Sequence, residues 1–417
     1  MSTRHLKQLF RPESVAVIGA SPREGSAGGL VMRNLLEGGF SGPIMPVHPR
    51  HRAVAGVLAY PDVAFLPLTP DLGIICTRPE SVLPAIDSLG KRGTQAAIVL
   101  TAGLSRAHGC DGAVTQDAVV EAARSHGMRL LGPNSLGLLV PGIGLNASFA
   151  HKPALAGKIA FVSQSGAICT MVLDWARPRD IGFSHFISIG EAIDVDFGDV
   201  LDYLSTDPST RAILLYIESI HQRRDFMSAA RAAARNKPVL AIKAGRGLEG
   251  AKAAATHTGA LAGADAVYDA AFRRAGMLRV YTFEELFAAV ETLAHPRPAK
   301  GDRLALLTNG GGLGVMAVDH LAQSGGRLAS LSEQTLARLD QVLPSPWSRS
   351  NPVDINGDAA GDRYAAALRI LFEAPEVDAT LCLHAPTAIS SGARVAEAVI
   401  ELARHHRDSS LMTCWVG

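Results

Sequence analysis

Three stretches of this chain share one pattern: a short apolar run, a turn of small residues, then a segment of helical period. They read VAVIGASPREGSAGGLVMRNLL from Val15, IAFVSQSGAICTMVLDWA from Ile159 and LALLTNGGGLGVMAVDHLA from Leu304. A continuously apolar strand is buried on both faces, and helices that follow such strands cover those faces, so the units build parallel sheets. Further apolar runs at 72–77, 96–103, 212–219, 238–245 and 379–386 alternate with Ala-, Leu- and Arg-rich stretches. The alternation predicts doubly wound α/β domains. Because a small-residue turn often follows the first strand of such a domain, domains are expected to start near residues 12, 157 and 302. Linkers are expected at 140–157 and 294–302, both rich in Pro, Gly and polar residues. The third unit stops directly after the run LMTCW, so its remaining parts are expected to be truncated or to lie on another polypeptide.

Composition narrows the function classes. With 40 basic and 39 acidic residues among 417, and no basic run or stripe standing out, nucleic acid is not an expected partner. The five cysteines (Cys76, Cys110, Cys169, Cys382 and Cys414) include no CxxC pair, so neither a zinc site nor a disulfide framework is expected. The first residues lack the apolar core of a signal peptide, and no apolar run approaches the roughly 18–20 residues that span a bilayer. A soluble cytoplasmic protein is expected.

The first turn, Gly19 to Gly29, offers glycines for close backbone approach and a following helix start, which together suit a diphosphate. Such turns also occur for packing alone. The GxGxxG spacing of a NAD site fails, and the second strand ends in His48, Pro49, Arg50, His51 and Arg52 rather than an acidic residue. A basic strand end favours an extra ribose phosphate, which leaves NADP and coenzyme A as candidates.

The second turn, Ser163-Gln164-Ser165-Gly166, presents hydroxyls and helix-start N–H groups to an anion, although the serines can equally cap the helix. The long small-residue segment after the run at 238–245 holds His257 between threonines, at the strand end where ligands of open α/β sheets bind. Neutral imidazole is a competent nucleophile near pH 7, and phosphoryl transfer through it divides one step into two. Such a ring needs an orienting partner, and Glu218, at the end of AILLYIE, is the candidate.

The ordered motifs SVAVIGAS, LLGPNSLGLL, GKIAFVSQSGA, DVDFGDVLDYLSTDP, LLYIESI, THTGALAG and NPVDINGDA resemble the nucleoside-diphosphate-forming acyl-CoA synthetases over essentially the whole chain. That superfamily includes succinyl-CoA synthetase and ADP-forming acetyl-CoA synthetase. The nearest resemblance is to the synthetase-like portion of bacterial Pat-type protein lysine acetyltransferases. The resemblance implies a Rossmann-like CoA-binding domain over 1–145, a flavodoxin-like succinyl-CoA synthetase-like domain over 155–297 carrying His257, and a second flavodoxin-like domain over 301–417. It implies an acetate–CoA ligase, ADP-forming, that interconverts a short carboxylate, CoA and ATP with acyl-CoA, ADP and phosphate. His257 would carry the phosphoryl group and Glu218 would partner it. Ser163, Ser165 and Gly166 would hold phosphate. Gly19, Ser21, Gly28, His48, Pro49, Arg50, Thr77, Pro79 and Asn134 would contact CoA. ATP/ADP with Mg2+ would sit on an ATP-grasp domain or subunit absent from this chain, and an oligomer is expected. The alternative is a CoA-sensing regulatory module of an acetyltransferase with a fused GNAT domain. One departure is Glu191 after Ser188-Ile189-Gly190, where the superfamily often has Asn.

Overall fold

The computed structural model describes residues 3–104, 114–247, 249–250, 252, 264–294 and 299–416. They form two compact units, Met1–Ala294 and His295–Gly417.

The first unit holds two sheets. In the first sheet, the chain order is β1 (Val15–Ile18), β2 (Ile44–Val47), a small pair β3 (Ala53–Val54) and β4 (Val57–Leu58) off the sheet, then β5 (Leu72–Ile75), β6 (Ala96–Val99) and β7 (Arg129–Leu131). The spatial order is β2-β1-β5-β6-β7, all parallel. Every residue of β1, β5 and β6 is buried, as continuous apolar runs require in a sheet covered on both faces. Helices α1 (Leu6–Phe10), α2 (Ala27–Glu37), α3 (Val82–Lys91) and α4 (Gln116–Ser125) accompany it. Ser26 caps α2 and Thr115 caps α4, each accepting a backbone N–H three residues on.

The second sheet comprises β8 (Gly137–Val140), β9 (Leu145–Ser148), β10 (Leu155–Ser163), β11 (Gly182–Ser188), β12 (Ala212–Ile217), β13 (Val239–Lys243) and β14 (Leu278–Val280), ordered β14-β13-β12-β10-β11-β8-β9. Its core is parallel; β8 adds antiparallel to β11, and β9 adds antiparallel to β8. Here the structure differs from the linker expected at 140–157. Gly137–Ser148 forms a hairpin whose alternate side chains Leu138, Val140, Leu145 and Ala147 join the apolar core shared with the first sheet. Asn34 of α2 donates to the Ser148 and Ala150 carbonyls at 2.9 Å each, fastening the hairpin to the first sheet. The helices are α5 (Gly166–Ala176), α6 (Phe197–Thr206), α7 (Arg223–Asn236), α8 (Asp265–Ala275) and α9 (Phe283–Ala294).

The second unit has a parallel sheet of β15 (Arg303–Thr308), β16 (Arg327–Leu328), β17 (Val353–Asp354), β18 (Ala379–His384) and β19 (Leu411–Trp415), in the order β16-β15-β18-β19 with β17 also on β15. Helices α10 (Gly311–Gln323), α11 (Glu333–Asp340), α12 (Gly361–Glu373) and α13 (Gly392–His405) complete it. Tyr364 of α12 is fully buried under this sheet.

Arg129 of β7 bonds Asp194 at 2.9 Å and Asp199 at 3.0 Å, binding the first sheet to the start of α6. Beside them Asp196 caps α6, accepting from the Gly198 N–H at 2.7 Å and the Asp199 N–H at 3.3 Å. Burial, with the Asp199 charge next, pushes the Asp196 carboxyl up to about 6. A carboxyl whose folded-state pKa exceeds its unfolded value binds the proton more tightly when folded, so its contribution to stability falls as pH rises from about 4 to about 6. Asp196→Asn keeps a capping oxygen and lacks that titration. Its unfolding free energy relative to wild type is therefore expected to rise from pH 4 to pH 7 in denaturant titrations. Parallel pH profiles for the two proteins would overturn this.

Candidate functional site

Sheets of order 2-1-3-4-5 bind ligands outside their strand C-termini, where the chain order reverses. In the first sheet that point lies between β1 and β5. There a Cβ at Gly28 would stand 2.1 Å from the Gly19 carbonyl oxygen, and one at Gly19 would stand 3.0 Å from the Cys76 carbonyl. Gly19 also has φ +87°. These glycines are demanded by a turn pressed against its own helix and against β5. Ser21 shapes the same turn, its Oγ accepting the Arg23 N–H at 3.2 Å.

The other candidate CoA contacts leave the same edge. His48, Pro49 and Arg50 follow β2, and Thr77 and Pro79 follow β5. Asn134 follows β7, its N–H donating to the Thr101 carbonyl at 2.9 Å. Thr101 Oγ1 donates to the Thr77 carbonyl at 2.7 Å. Thr77 Oγ1 is buried with no hydrogen-bond partner, as a group awaiting a ligand would be. His48 takes a different part from the basic one read in sequence. Its Nδ1 accepts the Arg50 and His51 N–H groups at 3.1 Å each. Burial first, then the His51 and Arg50 charges, hold its imidazole below the ordinary range. Positive charge at this strand end therefore comes from the exposed Arg50 and Arg52.

In the second sheet the order reverses between β10 and β12. Ser163 is fully buried, and its Oγ donates to the Ser165 carbonyl at 2.9 Å while accepting the Ser165 N–H at 3.0 Å. Its hydroxyl is thus spent on folding the turn. Ser165 caps α5, with its Oγ accepting the Ile168 N–H at 3.4 Å. Gly166, half-buried, is the first residue of α5.

Sequence reasoning passed over Gln164, which ties this turn to β12. Its Oε1 accepts the N–H groups of Glu218 at 2.6 Å and Ser219 at 2.9 Å, and its Nε2 donates to Ser219 Oγ at 3.4 Å. The signal available was an amide between two serines at a strand exit. Glu218, 9% exposed, directly follows β12, its backbone held by Gln164 two residues before α5 begins. His257 lies outside the described residues; in sequence its segment is flanked by β13, which ends at Lys243, and α8, which begins at Asp265.

Glu191, the departure noted in sequence, accepts from the Gln116 and Asn134 side-chain amides, the latter at 3.4 Å. It so joins the α4 and β7 ends of the first sheet to the exit of β11. A basic stripe that sequence reading missed also emerges. Arg223, Arg224, Arg231 and Arg235 share a shallow groove along α7, separated in sequence by apolar and small residues. Among the described residues, no group of three or more His, Cys, Asp or Glu side chains is arranged to hold a metal ion. No helix among them is long and apolar enough to cross a membrane.

Comparison with known proteins follows the same division. A CoA binding domain matches residues 13–141, and a succinyl-CoA ligase like flavodoxin domain matches residues 156–293. The α subunit of acetate–CoA ligase [ADP-forming] I of Pyrococcus furiosus is 37% identical over 417 residues, covering 99% of this chain and 90% of that subunit. The chain belongs to the ADP-forming acetate–CoA ligase family. Within this family, acetate–CoA ligase [ADP-forming] I of Archaeoglobus fulgidus is 42% identical over 95% of the chain, and the chain spans 57% of that longer relative. The acetyl-coenzyme A synthetase 1 of Ca. Korarchaeum cryptofilum, solved with phosphate and ADP, superposes with a TM-score of 0.93 at 35% identity, covering 99% of this chain and 89% of that one. The ligase family accounts for the order of domains, and the close-packed Gly19–Gly28 turn with the orphaned Thr77 hydroxyl fits a CoA-binding edge.

Gln164→Ala leaves the Glu218 and Ser219 N–H groups without their acceptor. Unsatisfied buried donors cost about 1–3 kcal/mol, so the unfolding free energy of the first unit is expected to drop by that order in a denaturant titration. An unchanged midpoint and slope would show that water replaces the amide there.

Proposed function

We propose that this chain is the CoA-binding and phosphohistidine-carrying part of an acyl-CoA ligase that uses acetate or another short carboxylate and forms ADP. In the acyl-CoA-consuming direction, phosphate attacks the acyl thioester and CoA leaves, giving acyl phosphate. A ring nitrogen of His257 then takes the phosphoryl group and the carboxylate departs. The phosphohistidine passes the phosphoryl group to ADP, forming ATP. The residues of this chain bind and orient: Gly19, Ser21, Gly28, Thr77, Pro79 and Asn134 with Pro49 and Arg50 for CoA, Gly166 and Ser165 at the α5 start for phosphate, and Glu218 for the imidazole. Ser163 and His48 act indirectly, by folding the turns that present their neighbours. Phosphoryl transfer of this kind depends on positioning and charge more than on covalent assistance.

The observation that carries the reading is the meeting of Glu218, Gln164 and the start of α5 at one switch point. The relatives' names and the two domain families matched by this chain support it. The nucleotide with Mg2+ belongs, on this reading, to an ATP-grasp domain or partner subunit, and the assembled enzyme is an oligomer of the cytoplasm. The Pat-type kinship, with a fused GNAT domain and a purely regulatory role, has no observation in its favour.

Mixing the chain with acetyl-CoA and phosphate is expected to add an acid-labile mass of about 80 Da, seen by intact-mass spectrometry. His257→Ala should abolish the addition while leaving CoA affinity within a few-fold. Glu218→Gln should slow it without lowering the melting temperature. No added mass in wild type, or the same mass in His257→Ala, would overturn the assignment.

A further inference from the structure

Lysine is among the residues least often fully buried, since its ammonium surrenders water only for good partners. Lys243, the last residue of β13, is 2% exposed. It pairs in register with Ile217 of β12, the residue before Glu218. Ala244, the next residue, donates its N–H to the Ile217 carbonyl at 2.9 Å, so the exits of β13 and β12 are held together with Glu218 one residue beyond Ile217. The Lys243 side chain turns toward α8. Its Nζ stands 4.7 Å from the centre of the Tyr268 ring and donates to the Ala244 carbonyl.

The other charges around it come from three elements. Asp265, in the first turn of α8, and Glu218 of the β12 exit favour the ammonium, while Arg279 of β14 opposes it. Arg279 bonds Asp265 at 2.5 Å and lies 3.5 Å from Asp269. Burial, the largest influence, holds Lys243 below the ordinary lysine range. An apolar side chain would fill this space without that penalty, and the ring face and carbonyl are partial compensation. In sequence, Lys243 and Ala244 stand just before the segment that bears His257, and Asp265 stands just after it.

We propose that Lys243 is a positioning residue of the phosphoryl-transfer site. Its ammonium ties the exit of β13 to the start of α8 and supplies the positive charge that balances Glu218 as a phosphoryl group arrives. This rests on the reading of His257 given above. Lys243 is not a catalytic residue in this account; it acts through Glu218 and through its contacts at the exit of β13 and with Tyr268 of α8.

Lys243→Met separates charge from volume, because Met keeps the unbranched stem and loses the ammonium. Lys243→Arg keeps the charge. The readouts are the rate of phosphoryl incorporation across a series of acetyl-CoA concentrations at fixed phosphate, CoA affinity by calorimetry, and melting temperature. For Lys243→Met the maximal rate should fall about tenfold or more, with the half-saturating acetyl-CoA concentration and CoA affinity within about threefold of wild type. Its melting temperature should equal or exceed that of wild type, and Lys243→Arg should recover much of the rate. A wild-type rate in Lys243→Met overturns the proposal, as does a loss shared equally by Lys243→Arg and tracking a lowered melting temperature. Should Lys243→Met not fold, Tyr268→Leu takes its place: a fall of about threefold or more supports the role, and an unchanged rate overturns it. Absence of phosphorylation in wild type would instead bring down the His257 reading, and this proposal with it.

Discussion

A single side-chain amide bridges the switch point of the second sheet. Gln164 accepts two consecutive N–H groups at the exit of β12, and without it those donors would be buried without acceptors. That bond decides where Glu218 emerges, because the backbone of Glu218 is one of the two groups held. It also decides where α5 begins, because Gln164 sits inside the turn that Ser163 folds and Ser165 caps. The second unit contains the same device. Thr308 Oγ1 accepts the Gly310 N–H at 3.0 Å and donates to the Gly310 carbonyl, and Asn309 exchanges two bonds with Ala385 beyond β18. Ser-Gln-Ser-Gly and Thr-Asn-Gly-Gly are thus one solution written twice, in which a hydroxyl folds the turn and an amide pins it across the crossover. What differs is the residue delivered to the rim, Glu218 in one case and Ala385 in the other.

Charge follows the same logic of local compensation. Arg303 meets Asp378 in a two-pronged pair at 2.8 and 2.9 Å, and its hydrogen bonds drive that carboxyl well below the usual range. Arg129 serves Asp194 and Asp199 at the boundary of the first two sheets. Both pairs couple elements distant in sequence and need no ligand. Lys243 is of another kind, since its partners are a ring face, a carbonyl and carboxylates at a distance. Buried charge with incomplete pairing tends to gather where chemistry requires it.

Much of this was legible in the sequence, for identifiable reasons. The strands VAVI, LGII, AAIV, AILLYI and VLAIK are continuous apolar runs, and burial on both faces permits nothing else. The Gly19–Gly28 turn was legible because only glycine tolerates a carbonyl at such a distance. The hairpin Gly137–Ser148 was not, since GLLV and LNAS are short, separated by Pro141 and Gly142, and owe their strand state to the pairing of β8 with β11 and of β9 with β8 rather than to local preference. The role of His48 was hidden because a histidine at a strand end reads as charge until its Nδ1 is seen receiving backbone N–H groups. Gln164 and Lys243 were hidden because an amide among serines and a lysine ending a strand are usually solvated, and only the tertiary fold removes the water.

The hairpin between the first two sheets has a consequence for how the chain can be divided. The polypeptide that leaves the first sheet does not dangle between two bodies; it becomes the outer edge of the second sheet, pinned there by Asn34. A gene cut at the end of the CoA binding domain match would leave β8 behind and strip the cover from β11. The part retained would expose a bare strand edge, the feature that turns sheets into templates for aggregation. A cut beyond β9 would carry the whole hairpin away and bare β11 in the same manner, so the two sheets of the first unit hold together as one piece.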